Sequence, residues 1–199
     1  VYESEFLKLV VFDEEQIKEV HQWFNDYAIQ ANTSQTGTIA RPWTLEEFKE
    51  DVKDQRHRYA VRIKASGELI GYATLFGTSL TQAIHPMTYL KPEARGKGYG
   101  TELSALLCDI AFLECNAHKF STTVYGYNEA SYHRYEKLGF KLEARLRDEV
   151  YRMGRYWDVL TYGLLREEWE RWEKHAIVLP ETYAKRMGHE KGFDLFNES

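Results

Sequence analysis

The chain has 199 residues, 43% hydrophobic and 29% charged, with a net charge of −5, and is long enough to bury a substantial core as one domain. The acidic balance argues against a general nucleic-acid-binding surface. No stretch approaches the run of about 18 apolar residues that a membrane-spanning helix needs, and two cysteines are too few for a disulfide framework.

The opening residues, VYESEFLKLVVFDEEQ, carry no basic region followed by an apolar core, so they do not read as a secretory signal and a cytoplasmic setting is expected. FLKLVV (6–11) reads as a strand. Asp13 is placed as the N-cap of a helix whose Ile17, Val20, Trp23, Phe24, Tyr27 and Ala28 fall on one stripe. NTSQTG (32–37) breaks that helix. Thr44 and Glu47 form a capping-box pattern that opens a second helix to about Lys53. Two β-rich runs around a Ser-Gly turn make 58–76 a hairpin. QAIHPMTYL (82–90) is a further strand, and Pro86 inside it predicts an edge, a bulge or a splay, because proline donates no ladder hydrogen bond.

After KPEARGKGYG, Leu103, Leu106, Leu107, Ile110, Ala111 and Leu113 mark a strongly apolar helix. KFSTTVYGY (119–127) is a strand, and NEASYHRYEKLG a short helix stopped by Gly139. FKLEARLRDEV and RYWDVLTYGLL are strands joined by a YRMG turn, and REEWERWEKH is a last amphipathic helix with a solvated face. Residues 176–199, with Pro180, Gly188 and Gly192, have little periodicity and read as a tail that wraps the domain or is mobile. This order of elements is an α/β chain with hairpins, so its sheet is mixed rather than purely parallel. Nothing in the chain reads as an inter-domain linker.

RGKGYG (95–100) carries the most chemistry. It follows a strand and opens the apolar helix, where the first-turn amides have no internal acceptor and lie at the positive end of the helix dipole. Gly96, Gly98 and Gly100 let the backbone turn and approach a ligand, and Arg95 and Lys97 add charge. The stretch is either a pyrophosphate cradle or a charged turn. The spacing G-x-G-x-G is neither the P-loop nor the G-x-G-x-x-G fingerprint.

Arg95 to Gly100 matches the R/Q-x-x-G-x-G/A motif of the GCN5-related N-acetyltransferase (GNAT) family. Asn128-Glu129-Ala130-Ser131, with Tyr135-Glu136-Lys137-Leu138-Gly139-Phe140, resembles that family's N-x-A-S…EKLGF segment, and the order of elements agrees over about residues 5–173. The pattern Ala144 to Arg147, Gly154 to Asp158 and Tyr162 to Trp169 looks most like the branch of ribosomal-protein N-terminal and spermidine acetyltransferases. The resemblance implies a single domain over 1–175 with the GNAT acyl-CoA N-acyltransferase fold. That fold is a mixed, mostly antiparallel twisted sheet with helices on both faces and a splay between two central parallel strands.

It also implies acetyl-CoA as donor, bound around Arg95, Gly96, Lys97, Gly98, Tyr99, Gly100 and Thr101, with no metal. The pantetheine arm would run along the strand ending near Leu90, where backbone N–H groups polarise the thioester carbonyl. Tyr135 stands where many members carry the tyrosine general acid, or is a core tyrosine. Asn128 hydrogen-bonds the pantetheine region, caps its helix, or does both. His85 falls where branch members often place a glutamate base, and a histidine can do the same work; the other reading is a structural histidine beside Pro86. Trp43 and the polar loop 32–41 sit where related enzymes shape the acceptor pocket, with core packing the alternative for the tryptophan. Cys108 and Cys115 read as structural thiols, because the family transfers the acyl group directly within a ternary complex. The acceptor would be a protein N-terminus, a polyamine or another small amine, with a second copy of the chain as a candidate partner. A non-catalytic acyl-CoA sensor or scaffold is the alternative function.

Overall fold

The computed structural model describes residues 2–33, 43–54, 57–77 and 82–178. Its elements are β1 (Tyr2–Glu3), β2 (Leu7–Val10), α1 (Glu14–Phe24), α2 (Tyr27–Thr33), α3 (Leu45–Asp54), β3 (Arg58–Ile63), β4 (Leu69–Gly77), β5 (Ala83–Leu90), α4 (Tyr99–Leu113), β6 (Lys119–Tyr125), α5 (Glu129–Lys137), β7 (Lys141–Arg152), β8 (Arg155–Leu165) and α6 (Arg166–Glu170). The strands form one eight-stranded sheet in the order β1-β2-β3-β4-β5-β6-β8-β7. Every neighbouring pair is antiparallel except β5–β6.

Helices cover both faces, as the resemblance implies. On one, Ile17 and Val20 of α1, Ile29 of α2 and Phe48 of α3 pack with Ala60, Leu69, Tyr72 and Tyr89. On the other, Leu103, Leu106, Leu107 and Ile110 of α4 pack with Tyr135 and Leu138 of α5, with Trp169 of α6, and with Ile70, Ile84 and Phe120. Removing these side chains from water is the main stabilising contribution.

Local signals account for several boundaries. Asp13 accepts from the Gln16 amide while the Gln16 side chain accepts from the Asp13 amide, a capping box at α1. Thr44 and Glu47 make the reciprocal bonds at α3 (2.9 and 3.2 Å). Gly139, at φ 91°, stops α5, and Met153 with Gly154, both at positive φ, make the tight β7–β8 turn.

Two elements differ from the sequence reading, and a third takes one of its alternatives, the start of the tail wrapping the domain. The first helix stops at Asn25 and restarts at Tyr27, and at the break the Asn25 side chain donates to the Trp43 carbonyl (3.0 Å) and accepts from the Trp43 backbone N–H (2.8 Å). The last helix covers Arg166–Glu170 and not the whole of REEWERWEKH. Trp169 turns inward to donate to Asp109 (2.8 Å) and Trp172 donates to the Leu138 carbonyl (2.7 Å), so neither indole stays on a solvated face. Finally, the start of the presumed tail is packed on the domain. The amides of Ala176 and Ile177 donate to Asp109 Oδ2 (2.7 and 2.9 Å), His175 Nδ1 lies 2.8 Å from Asp109 Oδ1, and the Val178 amide donates to the Glu3 carbonyl (2.7 Å). The loop at 34–42 and the tail beyond 178 lie outside the described residues.

Candidate active site

β5 and β6 touch only at Ala83–Lys119 and Ile84–Phe120, and then diverge. Of the edge, bulge or splay that Pro86 predicts, this is a splay, and the direction of the backbone groups explains why a proline fits there. The Lys91 amide donates to the carbonyl of Ile70, the residue directly opposite. Because bonding alternates along an antiparallel pair, Tyr89, Met87 and His85 also bond to β4, while Pro86, Thr88 and Leu90 turn their backbone groups into the fork. Pro86 therefore loses no bond to β4. On the other side, the Gly126 amide donates to the Asp158 carbonyl, so the same alternation directs the backbone of Ser121, Thr123 and Tyr125 into the fork. The fork is thus walled by peptide groups without a strand partner, suited to an extended ligand that itself carries amides.

The RGKGYG turn lies just beyond the end of β5. Gly96 and Gly98 have φ of 72° and 89°, with open space where a side chain would begin. These two glycines are required by backbone conformation. Gly98 ends the turn and its carbonyl accepts from the amides of Thr101 and Glu102 (3.0 and 3.2 Å). Thr101 is thus committed within the helix, whereas among the described residues the amides of Gly96, Lys97, Gly98, Tyr99 and Gly100 donate to no carbonyl. They form a set of orphan donors at the head of a 15-residue helix. The turn is anchored from behind, since Glu102 Oε1 accepts from the Ser4 hydroxyl (2.5 Å) and the Phe6 amide (2.8 Å).

Lys97 is exposed and Arg95 is partly committed. The Arg95 Nε donates to the Leu90 carbonyl (3.0 Å) and its guanidinium lies 5.6 Å from the Tyr89 ring centre. This closes one backbone group of the fork and leaves the Thr88 and Leu90 amides facing it.

His85 is the first residue past the last β5–β6 pair. It lies on the sheet face covered by α1, α2 and α3, because Met87 and Tyr89, at the same parity along β5, pack there. Tyr135 lies under the other face, 3% exposed. Its ring meets Phe140 at 5.0 Å, and Phe140 meets Phe120 of the fork at 5.8 Å. Its hydroxyl makes no hydrogen bond among the described residues. Asn128 occupies the N-cap of α5, where its carbonyl accepts from the Ser131 and Tyr132 amides. Its side chain makes no capping bond, so the amide is left for other partners.

One element of the site had no local signal. Tyr127 donates from its hydroxyl to the Ala31 carbonyl and so ties the end of β6 to α2 across the mouth of the fork. Its ring stacks on Tyr125 and meets Trp157 edge-on. Burial and the neighbouring Tyr125 push its hydroxyl up to about 12, so it stays neutral. Trp43 packs edge-on against Phe24 (5.7 Å), in keeping with the core reading.

Cys108 is fully buried on α4, and burial with the adjacent Asp109 raises its thiol well above the ordinary range. Cys115 is shifted the same way by burial and Glu114. Neither has the lowered pKa of a nucleophilic thiol. Among the described residues no group of His, Cys, Asp and Glu is arranged to hold a metal ion.

The orphan amides beyond β5, the peptide-walled fork and the exposed Lys97 fit a donor that carries a diphosphate at one end and an amide-bearing arm. The acetyltransferase (GNAT) domain family matches residues 7–141 of the chain. The chain is 31% identical over 163 residues to the phosphinothricin N-acetyltransferase of Streptomyces coelicolor, covering 75% of this chain and 90% of that protein. It is 28% identical over 137 residues to a putative ribosomal N-acetyltransferase of Bacillus subtilis, covering 65% and 75%. Among solved structures it is similar to spermidine N-acetyltransferase from Vibrio cholerae in complex with CoA and spermine, with a TM-score of 0.72 and 25% identity over 82% of this chain and 97% of that one.

Proposed function

The chain belongs to the acetyltransferase (GNAT) domain family, and from that premise we propose how its own residues move an acetyl group from acetyl-CoA to an amine. It is an acetyl-CoA-dependent N-acetyltransferase. The observation that carries the reading is the β5–β6 fork, which opens at Ile84–Phe120 and runs toward the orphan amides of residues 96–100. The Thr88 and Leu90 amides hold the pantetheine arm, and the amides of Gly96 to Gly100 hold the diphosphate. Asn128 offers its side-chain amide to the arm.

The acceptor amine enters from the α1–α3 face, where His85 takes one of its protons. A C–N bond forms at the acetyl carbonyl and the C–S bond breaks. Tyr135, on the opposite face, gives a proton to the departing thiolate. Hydrogen-bond donors fixed at the fork stabilise charge on the acetyl oxygen.

For the acceptor we take a small amine ahead of a protein N-terminus. The Tyr127–Ala31 tie narrows the approach on the acceptor face, and relatives are named for spermidine and phosphinothricin. Residues 1–175 are taken as one catalytic domain. The compartment we propose is the cytoplasm, in keeping with two unpaired thiols; among the described residues no helix is long and apolar enough to cross a membrane.

The test is a panel of polyamines, amino acids and short peptides with free N-termini, read by release of the CoA thiol. Turnover of a small amine supports the reading, and turnover of peptides alone replaces the acceptor class. Tight CoA binding by calorimetry with no thiol release against any amine would move the protein to the sensor or scaffold reading.

A further inference from the structure

Gly100 differs from the other two glycines of the turn, because its conformation lies outside the left-handed region. Its singularity is spatial. A Cβ at position 100 would lie 3.2 Å from Nη1 of Arg134 and 3.7 Å from Cδ1 of Leu90. The guanidinium of Arg134, reaching across from α5, therefore lies against the first turn of α4, at the end of the fork where β5 finishes.

The surroundings of this cation are unusual. Its Nη2 donates to the Ser131 hydroxyl (3.2 Å), its guanidinium carbon lies 4.9 Å from the Tyr135 ring centre, and its buried Nε has no hydrogen-bond partner. None of the ion pairs among the described residues involves it. The nearby carboxylates are committed elsewhere, Glu102 to Ser4 and Phe6, and Glu136 to Tyr162 and His133. A half-buried cation clustered with the orphan amides at the positive end of a long helix is disfavoured there when no anion is present. Such a cluster is favourable when one anion lies among its members, and Arg134 holds the fork side of it.

We propose that Arg134 binds the diphosphate of the CoA donor, closing from α5 the anion site whose other walls are the amides of Gly96 to Gly100, and that Gly100 is glycine to admit this guanidinium. The proposal rests on the donor reading and adds a residue to it. Its position along the fork agrees. Its guanidinium lies against Gly100 and Leu90, at the end of β5 nearer the RGKGYG turn, and not at the His85 end. It is a binding residue, not a catalytic one.

The experiment is calorimetric titration of the full chain and its R134Q and R134K variants with CoA, dephospho-CoA and pantetheine. A charge-assisted contact of this kind is expected to weaken CoA binding about 10- to 100-fold in R134Q, with partial recovery in R134K. Dephospho-CoA, which keeps the diphosphate, should lose the same factor, and pantetheine, which has no phosphate, should lose none. An equal loss for pantetheine means that Arg134 acts by packing on Tyr135, and the proposal fails. A loss confined to CoA assigns the residue to the 3′-phosphate and overturns the diphosphate assignment. Unchanged CoA binding in R134Q removes the proposal while leaving the donor reading intact. No CoA binding by the unsubstituted chain removes the donor reading and the proposal with it. A thermal midpoint for each variant separates lost contact from lost fold.

Discussion

His85 and Tyr135 approach the β5–β6 fork from opposite faces of the sheet, one under α1–α3 and the other under α4 and α5. In the proposed mechanism a donor arm in the fork would lie between the base, His85, and the acid, Tyr135. For Tyr135→Phe we expect kcat to fall about 10- to 100-fold, in the lower part of the range for general acid catalysis. Stability should change little, since the hydroxyl makes no hydrogen bond among the described residues and the ring keeps its contact with Phe140. The measurement is kcat against pH beside a urea midpoint. An unchanged kcat with an unchanged alkaline limb returns Tyr135 to the core.

His85→Gln keeps a polar side chain of similar reach but cannot take the amine proton. We expect kcat/KM to fall about 10- to 100-fold near neutrality, and its acid limb to flatten. Amines already uncharged at the assay pH should suffer less than strongly basic ones. Equal losses across amines of different basicity would make His85 a packing residue.

How far the sequence reached follows from the range over which each feature is encoded. Thr44 and Glu47 sit three residues apart, Gly139 directly follows its helix, and the RGKGYG turn is contiguous, so these were legible. The break at Asn25 was not, because the partner of its side chain is Trp43, eighteen residues on. Asp109 sits in the middle of an apolar helix pattern, and its partners begin sixty residues later. The run REEWERWEKH reads as one amphipathic helix, but its indoles follow acceptors on α4 and just after α5. Arg134 was legible as a helical arginine, while its approach to Gly100 depends on how α5 docks on α4.

The direction of the backbone along β5 can be tested with proline itself. Pro86→Ala adds an amide that faces the fork, so we expect stability to move by less than about 1 kcal/mol, the scale of ordinary surface changes. Met87→Pro removes the amide that faces Thr74 of β4 and leaves its carbonyl without that donor, at a cost of about 1–3 kcal/mol. Urea denaturation of both variants decides the matter. Similar losses at the two positions would contradict the register derived for the fork.

Tyr127 gives a pH dependence whose sign can be worked out. Burial above all holds its folded pKa at about 12, above that of an ordinary tyrosine. The fold therefore favours the neutral phenol. The resulting stability is complete below about pH 10 and is lost as pH rises toward about 12, because the unfolded chain ionises first. Tyr127→Phe also loses the bond to Ala31, so it should start less stable at pH 8 and then decline less steeply above pH 10. Stability of the two proteins from urea unfolding at pH 8, 9, 10 and 11 checks this, and parallel decline would show that Tyr127 does not carry the shift.

Asp109 is 0% exposed and accepts from Trp169, Ala176 and Ile177 while facing His175. A buried carboxylate is costly to desolvate and is tolerated only when its lone pairs are filled, as they are here by groups that all belong to α6 and the segment after it. Asp109→Ala leaves an indole N–H and two backbone amides without their acceptor and opens a small cavity beside Cys108. We expect a loss of about 3–5 kcal/mol, as for breaking a buried charged network. The effect should be local as well as global: amide exchange at 176–178 should accelerate more than at the buried β4 strand, because those residues lose their anchor on α4 while the sheet keeps its ladder. Asp109→Asn, which can still accept on one oxygen, should fall between the two. Equal acceleration everywhere would mean that Asp109 supports the core as a whole and does not pin the C-terminal segment.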